Sequence, residues 1–358
     1  MLPNRRAFVQ GVLLAAVHAK TSLAQGFAGL GIEAGAFEPV VKGRALTFPA
    51  DHGPHPRFRI EWWYVTANLH DGAGTPYGVQ WTLFRQAMEA GPDAENWASR
   101  QIWMGHAAVT SASEHHFGER LARGGIGQAG ADAEPFHVWI DAWDMRGLDA
   151  MSAQTISPLV LTASANDFAF DLKLEASQAL VLQGDAGYSQ KSDKGQASYY
   201  YSQPFFKARG EIELSGHRVQ VTGQAWMDRE WSSQPLASDQ KGWDWISLHL
   251  DSGTKLMLFR LRQSDGKNFI SGNWIGADGL SEVLASNMIA LTPASQNSIE
   301  GRMLPTEWDI EIPSRGLKIK IVSLNPQSWM ATTIPYWEGP VRIHGSQSGV
   351  GYLEMTGY

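Results

Sequence analysis

The 358-residue chain contains no cysteine. That excludes disulfides, an iron–sulfur centre, a thiolate nucleophile and a lipoprotein anchor. Positive charge is also short: 29 Lys and Arg stand against 36 Asp and Glu, a net charge of −7. Nucleic acid and anionic membrane surfaces are therefore poor partners. A GxxxxGK[ST] phosphate loop, a GxSxG elbow and a CxxC pair are all missing, so an ordinary serine hydrolase is not expected. What the chain does have is 15 Trp and 37 Gly, with 43% hydrophobic and 18% charged residues. This suits folded, turn-rich β domains with broad aromatic surfaces, and the length fits two of them.

The N-terminus reads as an export signal. Asn4-Arg5-Arg6-Ala7-Phe8 opens an apolar stretch that ends near Val17, followed by Ser22-Leu23-Ala24. Gln10 and His18 interrupt or bound the stretch, which falls short of the roughly 20 residues a spanning helix needs. The paired arginines and small terminal residues predict a twin-arginine leader over 1–24, then a leader segment over 25–45. Cleavage after Ala24 removes Arg5, Arg6 and Lys20 and no acid, taking the net charge from −7 to −10. The expected compartment is the periplasm.

Two-residue alternation recurs along the rest. Phe168, Phe170, Leu172 and Leu174 alternate with Ala169, Asp171, Lys173 and Glu175. Leu317, Ile319 and Ile321 are separated by Lys318 and Lys320, and the segments 211–214 and 218–221 flank a Ser215-Gly216 turn. These are half-buried strands and a hairpin. No helical period stands out beyond the leader, so the chain is all-β. An internal echo aligns EWWYVTANLHDG (61–72) with GWDWISLHLDSG (242–253), each followed by Leu-Phe-Arg, at 83–85 and 258–260. The echo predicts duplication, with domains over 46–205 and 206–358. Each half has strands enough for a closed barrel able to hold an apolar ligand, and a flat sandwich is the alternative.

Three clusters could carry chemistry. Asp51-His52-Gly53-Pro54-His55-Pro56, before Arg59, Glu61 and Trp62, reads either as part of a metal site or as a loop plugging a barrel, with an Arg59–Glu61 ion pair. In the second, Trp226, Asp228 and Glu230 share one strand face. Like charge and desolvation there would raise a carboxyl pKa and leave a general acid beside indole rings. The same face runs back through Gln224, Thr222 and Gln220, so a solvent-facing strand is equally open. In the third, Trp243, Trp245, Ser247 and His249 share a face, whereas Asp244 lies with Ile246 and Leu248. Asp244 is either a functional acid or the partner of Arg260 or Arg262. Tyr200, within Tyr199-Tyr200-Tyr201-Ser202, adds a hydroxyl near the expected seam.

The segments FPADHGPHPRFRIEWWYVTANL, SYYYSQPFF, GQAWMDREWSSQ, GWDWISLHLDSGTKLMLFRLR, YWEGPVRIHG and GVGYLEMTGY resemble, in order, the AttH-like group. That group is related to hydroxyneurosporene synthase, the carotenoid 1,2-hydratase. The resemblance implies tandem lipocalin-like barrels over about residue 46 to the C-terminus. It also implies Asp228 and Asp244 as candidate acids, with Trp226, Trp243 and Trp245 around them. The related motif usually reads Asp-His-Glu-Trp; here Arg229 replaces the His, so no imidazole role carries over. The expectation is an exported protein that binds an apolar, lipid- or isoprenoid-like ligand and needs no cofactor or metal. Trp226, Trp243, Trp245, Tyr200, His52 and Trp62 are the candidate ligand contacts. The alternatives are a hydratase using Asp228, Asp244 or Glu230, and a partner of an envelope transport system.

Overall fold

The computed structural model describes residues 37–358, apart from 92, 95, 153 and 235–238. The expected leader peptide lies outside the described residues. The rest is almost wholly antiparallel β, in a 13-stranded and a 10-stranded sheet, each curled into a barrel-like body. The alternating segments behave as their pattern dictates. Phe168, Phe170, Leu172 and Leu174 are buried in the first core, and Leu317, Ile319 and Ile321 in the second. Ser215 (φ 50°) and Gly216 (φ 79°) both take left-handed backbone, the geometry of a two-residue hairpin turn, with Leu214 opposite His217.

The echoed strands hold equivalent places in the two sheets. Ile60–His70 is clasped between Pro76–Ala87 and His217–Ser232. Gln240–Leu250 is clasped in the same way between Lys255–Gln263 and Gly349–Thr356. The seam expected near residue 205, however, falls inside the strand Ala197–Leu214. Pro204 cannot donate to the ladder, and the register shift between Gln203 and Phe206 is a bulge rather than a boundary. The first sheet continues to Ser232 because its last strand must return to pair with its first; the second begins at Gln240.

Both barrel interiors are packed with side chains. Trp63, Trp81, Leu83 and Val138 are fully buried in the first, and Leu258, Trp308, Trp337 and Leu353 in the second. One end of the first barrel is plugged by the turn Ala50–His52. There Glu61 pairs with Arg85 and Arg229, and His55 bridges Asp51 and Glu61 at 3.0 and 3.1 Å. The expected Arg59–Glu61 pair is replaced because Arg85 stands directly opposite Glu61 in the ladder. The two bodies meet through their outer faces, where Tyr64, Trp226, Trp245, Met257, Phe259 and Tyr352 form one buried cluster. Gly78 permits the approach: a Cβ there would stand 2.5 Å from the Tyr352 hydroxyl and 2.6 Å from Pro340.

Candidate active site

The meeting of the two outer faces explains the strand His217–Ser232. Gln220, Thr222 and Gln224 are exposed, but Trp226, Asp228 and Glu230, further along the same face, are covered by the second barrel. Asp228 accepts hydrogen bonds from Tyr200 Oη (2.6 Å), Trp226 Nε1 (2.6 Å) and Ser202 Oγ. These donors favour the carboxylate, yet burial outweighs them and pushes the Asp228 carboxyl up to about 7. Glu230 accepts from Ser198 and pairs with Lys191 at 2.8 Å. The Lys191 ammonium also sits over the rings of Tyr200 (4.8 Å) and Phe259 (4.7 Å).

These groups line a pocket of about 120 Å³ between the barrels, walled by Trp62, Tyr64, Phe84, Trp243, Trp245 and Phe259. Trp245 donates to Tyr200 Oη at 3.2 Å and crosses Tyr64 and Trp226 edge to face. Two acids escaped notice in the sequence. Glu354 accepts from Trp243 Nε1 at 2.6 Å, and burial pushes its carboxyl up to about 7. Glu338 lies directly opposite it in the ladder and accepts from Tyr64 Oη at 2.5 Å; burial and the neighbouring Glu354 hold its carboxyl well above the usual range. The signal was alternation: Glu338 and Glu354 face away from the core that Trp337, Val341, Leu353 and Met355 enter. Lys191 had no such pattern, lying in a loop after a three-residue strand.

Of the nine sequence candidates, Trp62, Tyr200, Trp226, Asp228, Glu230, Trp243 and Trp245 come together here. Asp244 does not. Its carboxylate points into the second barrel, where Arg260 (2.7 Å), Arg262 (3.2 Å) and Tyr358 Oη (2.8 Å) hold it, which is the ion-pair alternative. His52 is also elsewhere, fully buried in the plug with Nδ1 2.7 Å from Tyr201 Oη. Arg229, the departure from the related motif, faces into the first barrel and stacks 3.8 Å from the Trp63 ring centroid. Its substitution therefore falls on the face opposite the pocket. A wider, open groove of about 1050 Å³ at the other end of the interface touches Tyr77, Arg209, Gln224 and Arg342 but none of the acids with raised pKa.

Known proteins place this architecture. A solved AttH structure from Nitrosomonas europaea superposes with a TM-score of 0.78 at 33% identity, covering 90% of this chain and 100% of that one. Kievitone hydratase from Nectria haematococca superposes with a TM-score of 0.65 at 16% identity, covering 90% and 98%. In sequence, kievitone hydratase of Fusarium solani subsp. phaseoli is 21% identical over 224 residues, which span 59% of this chain and 63% of that protein. The AttH-like family matches residues 39–358, a span that includes both sheets, and the chain belongs to that family.

Proposed function

We propose that the pocket between the barrels is the active site of a hydratase-type enzyme acting on an apolar, unsaturated small molecule. The observation that carries this reading is Asp228, a buried carboxyl pushed up to about 7 within a wall of indole and phenol rings. Such a group keeps a large protonated fraction near neutral pH, where an ordinary carboxyl has almost none, and is poised to give its proton away. In the reaction, the Asp228 proton forms a C–H bond with one alkene carbon, and the π pair leaves a cation on its neighbour. The ring faces of Trp62, Trp243 and Trp245 stabilise that cation. Water then forms the C–O bond, and its surplus proton passes to a carboxylate of the pocket. Glu230, held by Lys191, is placed to receive it. Alkene and water give an alcohol.

The sequence relative named a hydratase supports the reaction class. The acids with raised pKa gather in the pocket between the barrels, where binding of an apolar ligand is the first step of the reaction. Export to the periplasm, read from residues 1–24, belongs to the same proposal, and cell fractionation of the tagged protein tests it. For the catalytic role, Asp228→Asn is expected to abolish turnover while leaving ligand-induced quenching of Trp fluorescence nearly unchanged. Turnover by a folded Asp228→Asn protein would remove Asp228 from the mechanism.

A further inference from the structure

Beside the pocket lies a chain of polar groups that the hydration step does not use. Glu338 and Glu354 occupy directly opposed positions on neighbouring strands; Glu338 is buried, and Glu354 is partly buried at the pocket wall. Directly opposed side chains in an antiparallel pair have Cβ atoms about 4.5–5.5 Å apart. The groups facing the two acids are Asp228, Glu230, Tyr64, Tyr336 and Tyr352, with His106 beyond Tyr336. Among the described residues, burial, other carboxylates and neutral donors act on the two acids, and no cation does. Two bare carboxylates this close in a dry interface repel strongly, so the pair keeps a proton.

A path from that proton leads outward. The Tyr336 hydroxyl neighbours the Glu338 carboxyl, whose Oε2 is buried with no hydrogen-bond partner among the described residues, and it lies 3.1 Å from His106 Nδ1. His106 Nε2 lies 3.1 Å from Glu119 Oε1. The His106 ring is fully buried and stacks on Tyr336 at 5.6 Å, whereas the Glu119 side chain is 22% exposed. Thr333, from the second barrel, fixes Glu119 through its N–H (3.0 Å) and hydroxyl (2.8 Å). Burial disfavours the charged ring of His106, and a neutral imidazole has one donor and one acceptor nitrogen. It can therefore accept a proton on one side and release one on the other. Inward, Tyr64 joins Glu338 to the pocket wall.

We propose that Glu338 and Glu354 share a proton that enters from solvent through Glu119, His106 and Tyr336 and reaches the pocket at Tyr64 and Glu354. Its use to reprotonate Asp228 after each turnover rests on the hydratase reading; the path itself does not. Hydration consumes no net proton, so the balance needs no co-reactant: for each proton that enters through Glu119 to restore Asp228, the one Glu230 took from the attacking water returns to solvent. Glu338, Tyr336 and His106 act through Asp228 and are positioning residues.

Infrared spectroscopy of the full protein tests the path independently of turnover. At neutral pH the carbonyl stretch of a protonated carboxylic acid is expected, with a contribution that disappears in Glu338→Gln and whose midpoint shifts in Glu354→Gln. After transfer to heavy water, the deuterium shift of that band is expected to slow at least tenfold in His106→Phe. Tyr336→Phe, which keeps the ring and loses only the hydroxyl, should slow it likewise, and the band midpoint should stay where it is. No Glu338-dependent band would overturn the shared proton. Unchanged exchange in both His106→Phe and Tyr336→Phe would overturn the path. If the band and exchange behave as expected but no alkene is hydrated, the relay stands and the hydratase reading falls.

Discussion

Asp228 is expected to make the protein less stable at alkaline than at acid pH, and Asp228→Asn should remove that dependence. The carboxyl is fully buried, and its pKa rises from 3.8 to about 7. In the unfolded chain it titrates near the ordinary value. Between these values the native state keeps a proton that the unfolded state has lost, so stability falls as pH rises. The contribution is complete below the unfolded pKa and is gone once pH passes about 7. A shift of roughly 3 units at 1.36 kcal/mol each gives an upper bound of about 4 kcal/mol. Asparagine has no charged form, so it escapes the penalty. The advantage of Asp228→Asn over the native protein should therefore grow by up to about 4 kcal/mol between pH 4 and pH 8. Urea unfolding of both proteins at the two pH values reads this directly. A constant difference, or one that shrinks toward pH 8, would refute the claim that burial keeps this carboxyl protonated.

Four other substitutions probe the frame and the pocket. Asp244→Asn leaves Arg260 and Arg262 unpaired inside the second barrel and should cost about 3–5 kcal/mol in urea unfolding, without changing the pH dependence due to Asp228. Glu61→Gln should cost a similar amount, about 3–5 kcal/mol, because it strands Arg85 and Arg229 at the plugged end of the first barrel. Gly78→Ala places a methyl against Tyr352 and Pro340 and should cost about 1–3 kcal/mol, with a loss of ligand affinity as the barrels are pushed apart. Trp243→Phe removes the N–H that steadies the Glu354 carboxylate, so the titration of Glu354 should move further upward in infrared spectra.

The fold was legible where a local pattern fixes it. Phe168 to Leu174 and Leu317 to Ile321 alternate because one sheet face is buried, and Ser215-Gly216 marks its hairpin because two successive left-handed residues favour small side chains. The boundary between the bodies was not legible. Which strand pairs with Ile60–His70 is a long-range matter, and nothing near residue 205 or 232 announces it. The pocket was half legible. Trp226, Asp228 and Glu230 were visible as one face, but whether that face met water depended on the second barrel, more than a strand away. Glu338 and Glu354 alternate out of the second core as plainly as Asp228 alternates out of the first, yet single acids among aromatics give no sign of what covers them. Asp244 was legible for a different reason: an acid on an apolar face stands out in sequence, and of its two readings the ion pair holds, with Arg260 and Arg262 on the next strand. His52, prominent in its Pro- and Gly-rich loop, turned out to belong to the plug.

The most direct test of the central claim is product analysis after incubating the mature protein with a panel of branched apolar alkenes in heavy-oxygen water. The account predicts an alcohol carrying the labelled oxygen on the more substituted carbon, formed by the native protein and not by a folded Asp228→Asn variant that still binds the alkene. Alkenes recovered unchanged while bound in the pocket, or equal product from both proteins, would contradict it.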